Sequence, residues 1–450
     1  MRQADRTRTP PSQRPITEEQ AMTAPSQPIS RADCLAADAR DPLAALRQQF
    51  HLPAGTLYLD GNSLGALPRN ASARVQQVIE REWGDHLIQS WNKAGWMTHP
   101  QRVADKIGRL IGAAPGEAIV ADTTSLNLYK VLSVAMTLAR ADSPRATRIV
   151  SERDNFPTDL YIAESLARQH GFELVLVDTA DIVHHINDQL AVLLLTHVNY
   201  RSGRMHAMGA LTEAAHAAGG LVVWDLAHSA GAVPVDLNAC NADFAVGCGY
   251  KYLNGGPGAP AFLWLHARHA ARMDAEQLWQ PLSGWLGHAA PFEFSSDYRP
   301  ATGVSRFICG TPPIIALAAL ECGVDTVLAA EPHGGMAALR AKSLALTDLF
   351  IALVEQRCTG HGLDLQTPRE HVLRGSQVSL HRHEGAYAIV QALIARGVVG
   401  DFRDPGILRF GFTPLYVGHA DVWDAVEHLV QVLDTREWQQ ARFNQRAAVT

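Results

Sequence analysis

Asp243–Gly258, DFAVGCGYKYLNGGPG, sets a single lysine among five glycines and a proline. Phe244 to Val246 has strand character, and Tyr250-Lys251-Tyr252 follows in a turn. Glycine takes φ above zero and lets a backbone come close to a ligand, so Lys251 is presented to something held tightly against the main chain. A lysine that does chemistry does it as an amine, forming a Schiff base once burial has made it nucleophilic. About 26 residues upstream, Val222-Val223-Trp224-Asp225 reads as a buried strand ending in an aspartate, followed by Leu226-Ala227-His228. That pair suits pyridoxal phosphate: the carboxylate keeps the pyridine nitrogen protonated and the lysine carries the cofactor. A lone lysine in a turn is ordinarily a solvated surface residue. The strand-end aspartate argues otherwise.

The chain has 450 residues, 47% hydrophobic and 19% charged, with a formal net charge of −6. This is the balance of an ordinary soluble globular protein, long enough for two or three domains. The acidic surplus argues against a nucleic-acid surface, and no apolar run approaches a membrane span. A cytoplasmic protein with no nucleic-acid or membrane partner is the expectation. Cys34, Cys240, Cys248, Cys309, Cys322 and Cys358 show no framework spacing and read as reduced thiols. The 20 histidines include no HExxH-type pair, so no metal is expected. His184-His185 and most of the others read as surface residues.

Residues 1–30 carry almost no apolar side chains and read as a disordered tail. Met22 begins a more ordinary start, so residues 1–21 are read as a misassigned or added segment. In the N-terminal segment 31–57, leucines and alanines recur at helical spacing from Ala36 to Phe50, with Asp41 and Pro42 as N-cap and first helical residue. Leu57 to Leu59 is a short strand running into the loop Asp60-Gly61-Asn62-Ser63-Leu64-Gly65. Ser72 to Trp83 is an amphipathic helix, Trp91 and Trp96 bracket a polar loop, and 103–111 is helical. From residue 118 strand and helix alternate, the pattern of a parallel sheet. Strands fall at 118–121, 147–151, 174–178 and 191–196, a return strand at 259–265, and helices at 125–138, 159–170, 181–188 and 209–218. Helices at 314–329 and 337–357 lead to a second pattern, with strands near 376–380 and 408–412 and helices at 385–396 and 420–434. The predicted class is α/β, a large domain over 58–329 and a smaller C-terminal α/β domain over 330–440.

Four features converge on the lysine. Thr124 and Ser125 open a helix, where hydroxyls, free N–H groups and the positive end of the dipole make a phosphate cradle. Phe156-Pro157-Thr158-Asp159 follows a strand and offers an aromatic to stack on a flat ring. Asp225 with His228, and Tyr250 with Lys251, complete the set. All four lie at or just beyond the C-terminal ends of parallel strands, where open α/β sheets bind ligands.

With these stand LDGNSLG (59–65), TSLNL (124–128), NFPTDLY (155–161), WDLAHSAGAVPVDL (224–237), GYKYLNGGPGAP (249–260), GWLGH (284–288), GTPPI (310–314) and RFGFTPLY (409–416). Together they resemble the kynureninase family, fold-type I pyridoxal phosphate enzymes of the aspartate aminotransferase superfamily. The resemblance spans residues 59 to 416 and implies a mostly parallel, seven-stranded sheet in the large domain. It implies that Lys251 holds the cofactor, that Asp225 pairs with the ring nitrogen with Asp159 nearby, and that Phe156 covers the ring and His228 lies beside it. Thr124, Ser125 and Tyr250 meet the phosphate, and Trp285 and Thr311 reach in from the second subunit of a homodimer with shared sites. Arg409 clamps the substrate α-carboxylate through a bidentate guanidinium, with Ser63 among the substrate-binding residues. Family members that prefer the 3-hydroxylated substrate carry serine, asparagine and histidine where this chain has Gly310, Thr311 and Trp91.

The reaction this implies is hydrolysis of L-kynurenine, and more weakly its 3-hydroxy derivative, to anthranilate and L-alanine in tryptophan breakdown. Lys251 serves as general base and Tyr250 as the acid that protonates Cβ after anthranilate has left. Cysteine desulfurases share the fold but need a nucleophilic cysteine on a mobile loop, whereas Cys322 and Cys358 fall in helical stretches. A cofactor-sensing regulator needs a DNA-binding domain, and the N-terminal tail is too short for one.

Overall fold

The computed structural model describes residues 28–446. The expected tail, apart from residues 28–30, lies outside the described residues, as does the segment 1–21. Seven strands build the main sheet: β1 (Ala118–Val120), β2 (Arg148–Glu152), β3 (Glu173–Val177), β4 (Leu190–Thr196), β5 (Leu221–Asp225), β6 (Phe244–Gly247) and β7 (Phe262–Leu265). Their order is β1-β7-β6-β5-β4-β2-β3. Neighbours from β6 to β3 are parallel, and β7 runs antiparallel to both β6 and β1.

The near-continuous apolar runs follow from burial on both faces. Successive side chains alternate sides, so Leu193 and Leu195 of β4, with Val222 and Trp224 of β5, enter one core. Val192, Leu194 and Val223 enter the other. The C-terminal ends of β2, β4, β5 and β6 therefore open on one edge of the sheet.

A second, antiparallel sheet comprises β8 (Asp364–Leu365), β9 (Gln377–His381), β10 (Asp401–Arg403) and β11 (Ile407–Gly411), in the order β8-β9-β11-β10. The helices Gly335–Arg357 and Ala386–Ala395 pack on it, and His419–Asp434 packs on those two helices. Leu57–Tyr58 pairs in parallel with Val398–Val399, which carries the loop 60–65 to the β10–β11 hairpin.

The start of the chain differs from expectation. The helix is Arg31–Asp38, closed by a capping box between Ser30 and Asp33, and residues 44–49 form only 3-10 turns. Asp41 does not cap an α-helix; its carboxylate accepts the Leu43 N–H and pairs with the buried Lys342 ammonium at 2.7 Å. That anchor turns the chain where a helix would have run on. The helix expected at 181–188 is likewise a 3-10 segment, Thr179–His185. The helix from Ala71 to Gln77 continues as a wider π-type segment, Val78–Asp85, around the buried Glu82, which accepts from Arg74 and from the Trp96 indole.

Candidate active site

Lys251 sits in the turn after β6, and the turn is pinned by close backbone approach. The Gly65 N–H donates to the Tyr250 carbonyl at 2.8 Å, and a Cβ on Gly65 would stand 2.4 Å from the Lys251 carbonyl oxygen. The loop 60–65 can lie against the lysine turn only with glycine there. On the other side a Cβ on Gly249 would meet the Pro260 carbonyl oxygen at 2.4 Å.

The ammonium of Lys251 donates to His228 Nε2 across 3.0 Å. His228 is buried and its Nδ1 has no partner. Burial, and then the Lys251 charge, hold this imidazole well below its usual range, so it is a neutral acceptor.

Asp225 ends β5, opposite Thr196 at the end of β4, and its Oδ1 accepts the Ala227 N–H at 2.7 Å. Asp159 lies in the first turn of the helix Pro157–His170, its Oδ2 3.5 Å from the Thr196 Oγ. Burial raises both carboxyl groups. Asp159 is raised well above its usual range because the charge of Asp225 lies beside it and Asp159 donates the hydrogen bond between them. Lys251 and the Ala227 N–H pull Asp225 back toward its charged form. The pair holds one proton on Asp159 and the negative charge on Asp225.

Asn155 fixes the loop before this helix. Its Oδ1 accepts from the Thr196 hydroxyl and from the Phe156 N–H, and its amide donates to Ser151. Phe156 remains 42% exposed, edge-on to Tyr200, with its ring centroid 5.9 Å from Lys251 Nζ. At the other end, Thr123 caps the helix Thr124–Asp142. The N–H groups of its first turn have no helical acceptor, and the Thr124 and Ser125 hydroxyls stand beside them. Tyr250 lies between, its phenol pushed up by burial and therefore protonated.

Thr124, Ser125, Phe156, Asp159, Asp225, His228, Tyr250 and Lys251 line one cavity of about 340 Å³, together with Thr196 and Tyr200. Arg409 is a neighbour through the Tyr200 carbonyl, which its Nη1 reaches at 2.6 Å. Trp285, Gly310, Thr311 and Trp91 do not line the cavity within this chain. Trp285 is exposed and packs edge-on to Phe292, Trp91 packs on Trp96, and the loops of Gly284 and Cys309 lie against each other.

The profile of the kynureninase C-terminal domain matches residues 339–429. Kynureninases of Burkholderia pseudomallei (strain K96243) and Pseudomonas fluorescens are each 55% identical to this chain over 424 residues, 94% of it and all of each relative. The chain belongs to the kynureninase family. Among solved structures, a cysteine desulfurase from Thermococcus onnurineus NA1 superposes with a TM-score of 0.73 at 19% identity, covering 88% of this chain and 99% of that one. A cysteine desulfurase from Escherichia coli gives 0.69 at 19% identity, over 87% and 98%. These show the same fold.

The family's cofactor, pyridoxal phosphate, fits the cavity. An anion cradle lies at one end, a charged carboxylate at the other, and an amine held by His228 Nε2 between them. No group of three or more His, Cys, Asp or Glu residues that could hold a metal occurs among the described residues.

The guanidinium of Arg409 differs from its expected form. Its Nε and Nη2 meet both oxygens of Asp401, and Nη2 also donates to Ser63 Oγ at 2.9 Å. The bidentate edge expected for substrate is taken by Asp401, because β10 and β11 pair these two residues in register. The turn Asp404-Pro405-Gly406 between 401–403 and 407–411 is a hairpin signal that places Asp401 opposite Arg409. Neither this hairpin nor a place for Tyr200 and Thr196 at the site was expected from the sequence, and Asn155 was expected only as part of NFPTDLY.

Most histidines, His184 and His185 among them, are exposed or partly so, as expected, and six are not. His99, His197, His206, His228, His269 and His288 are buried. Carboxylates offset the cost for three of them: Glu321 for His99, Glu152 for His206 and Asp243 for His269.

Proposed function

We propose that this protein hydrolyses L-kynurenine to anthranilate and L-alanine. The observation that carries this, beside family membership, is the convergence of Lys251, Asp225, Asp159 and the Thr124–Ser125 helix start on one cavity. When bound there, the cofactor supplies an electron sink for the substrate α-carbon. Thr124 and Ser125 hold its phosphate, Phe156 covers one ring face, and Asp225 keeps the ring nitrogen protonated while Asp159 donates to Asp225. Lys251 Nζ takes the substrate α-proton, and His228 Nε2 accepts from that amine and orients it. Water adds to the γ-carbonyl, the Cβ–Cγ bond breaks, anthranilate leaves with the water oxygen, and Cβ is protonated. The Tyr250 phenol is the donor for that proton. Arg409 binds the α-carboxylate with Ser63 beside it, through the one Nη1 N–H that Asp401, Ser63 and the Tyr200 carbonyl leave free.

Trp285, Gly310 and Thr311 lie outside the cavity of their own chain, which supports the reading that they complete the site of a second copy in a homodimer. Residues 58–329 then form the cofactor domain and 330–440 a smaller lid-like domain, and the enzyme works in the cytoplasm. Sedimentation equilibrium should give twice the 48.9 kDa chain; a monomer active at all concentrations contradicts the shared site. A desulfurase reading is not favoured. Cys322 and Cys358 are buried, and burial raises both thiols, Cys358 to about 12.

Purified holoenzyme given L-kynurenine should release equal amounts of anthranilate, followed by its fluorescence, and L-alanine. Consumption of kynurenine without anthranilate contradicts the reading.

A further inference from the structure

Asp60 opens the loop 60–65 beneath Arg409, and nothing in the proposed reaction uses it. Its Oδ1 is buried without a hydrogen-bond partner. It faces a compact set of charges. The charges of Asp401 and Arg403 from β10 and of Arg409 from β11 act on it, and the Ser63 N–H donates to its carbonyl at 2.9 Å, which holds the loop against them. Ser63 Oγ ties the set together, donating to Asp401 at 2.9 Å while accepting from Arg409 and, at 3.4 Å, from Arg403. Asp401 is almost wholly buried and already pairs with both guanidinium groups.

The charges balance without substrate: two guanidinium groups face two carboxyl groups. An incoming α-carboxylate is a third carboxyl group beside these two guanidinium groups, and like charges at short range in a poorly solvated site repel strongly. One of the three has to be neutral. Asp401 cannot be, since it makes the ion pairs that hold Arg409. Asp60, whose Oδ1 has no donor to stabilise its charge, can.

We propose that Asp60 binds a proton from bulk water when the substrate α-carboxylate enters beside Arg409 and releases it when L-alanine leaves. This rests on the reading of Arg409 as the carboxylate-binding group. Burial first, and the charge of Asp401 second, push the Asp60 carboxyl up to about 7, against the pull of the two guanidinium groups. Free enzyme therefore has Asp60 mostly neutral below pH 7 and mostly charged above it. Carboxylate binding weakens as pH rises through this range, because the proton must be drawn from a more dilute supply.

The test uses holoenzyme and kynurenine lacking its α-amino group, which keeps the carboxylate but has no amine to displace Lys251 from the cofactor. Titration calorimetry at pH 7.5 in two buffers of different ionisation enthalpy reads the protons exchanged. Uptake of about half a proton or more is expected for wild type, falling to near zero in Asp60→Asn. In parallel, KM for L-kynurenine should rise roughly tenfold more from pH 6.5 to 8.5 in wild type than in Asp60→Asn. If Asp60→Asn does not fold, wild type alone decides, since uptake must vanish at pH 5, where Asp60 already carries its proton. No uptake at pH 7.5, uptake undiminished at pH 5, or uptake unchanged in Asp60→Asn overturns the proposal. Arg409→Gln separates this from failure of the underlying reading: unchanged affinity for the analogue means that the carboxylate does not bind at Arg409 at all.

Discussion

Lys251 Nζ donates to His228 Nε2 across 3.0 Å, and the other ring nitrogen of His228 is buried without a partner. The histidine acts here as a neutral acceptor that orients the reactive amine. His228→Phe keeps a ring in place and removes the acceptor. A lost hydrogen bond to a buried charged group costs about 1–3 kcal/mol, so kcat/KM is expected to fall ten- to a hundredfold. The inflections of its pH profile should not move, because a neutral His228 contributes none. Disappearance of an inflection in the variant contradicts the neutral assignment.

Asp159 and Asp225 look alike in sequence and are not alike in charge. Asp159 holds the shared proton and Asp225 the negative charge, so asparagine mimics the state of one and not of the other. Asp159→Asn is expected to retain kcat within about tenfold, whereas Asp225→Asn loses a hundredfold or more. Steady-state kinetics at saturating cofactor checks this. Equal losses contradict the placement of the proton.

The residues that announced themselves in the sequence were those whose roles depend on short-range geometry. Lys251 stands in a glycine turn, Asp225 at a strand end and Thr124 at a helix start, and each is readable from a few neighbours. The parallel sheet was legible because β4 and β5 are apolar on both faces. Asp401, Tyr200 and Asp60 come together from three separate parts of the chain, and only the pairing of β10 with β11 and the docking of the loop 60–65 unite them. The buried histidines escaped for a related reason. His206 is tolerable inside only because Glu152, distant in sequence, meets it at 2.9 Å.

His197 packs edge-on to Trp224, and burial pushes its imidazole down to about 3. In the unfolded chain the ring titrates near about 6.5. Between these values the unfolded state binds a proton that the folded state refuses. The stability this group contributes is therefore full above about pH 6.5 and lost as pH falls toward 3. His197→Gln removes the titration. The stability gap between wild type and variant should narrow by about 1 kcal/mol per pH unit below pH 6, measured by urea unfolding at pH 7.5, 6.5 and 5.5. A constant gap contradicts the buried, neutral assignment.

Gly310 has open space where a side chain would start, with nothing within 4 Å of a Cβ built on it. In the proposed shared site it would offer a substrate 3-hydroxyl no partner, Thr311 is shorter than asparagine, and Trp91 would present mainly an apolar face. A buried hydroxyl left unpaired loses about 1–3 kcal/mol. L-kynurenine should thus be preferred over the 3-hydroxy compound by roughly ten- to a hundredfold in kcat/KM. The combined changes Gly310→Ser, Thr311→Asn and Trp91→His should shift the ratio toward the hydroxylated substrate. Equal turnover of both substrates by wild type removes these positions from the account.

The central claim is that Lys251 is the amine around which the cavity is built. Holoenzyme reduced with borohydride, digested and mapped by mass spectrometry reads this directly. The pyridoxyl label is expected on Lys251 alone, and Lys251→Arg should carry no label and lose kcat by at least a thousandfold. Label on any other lysine, or full activity in Lys251→Arg, contradicts it.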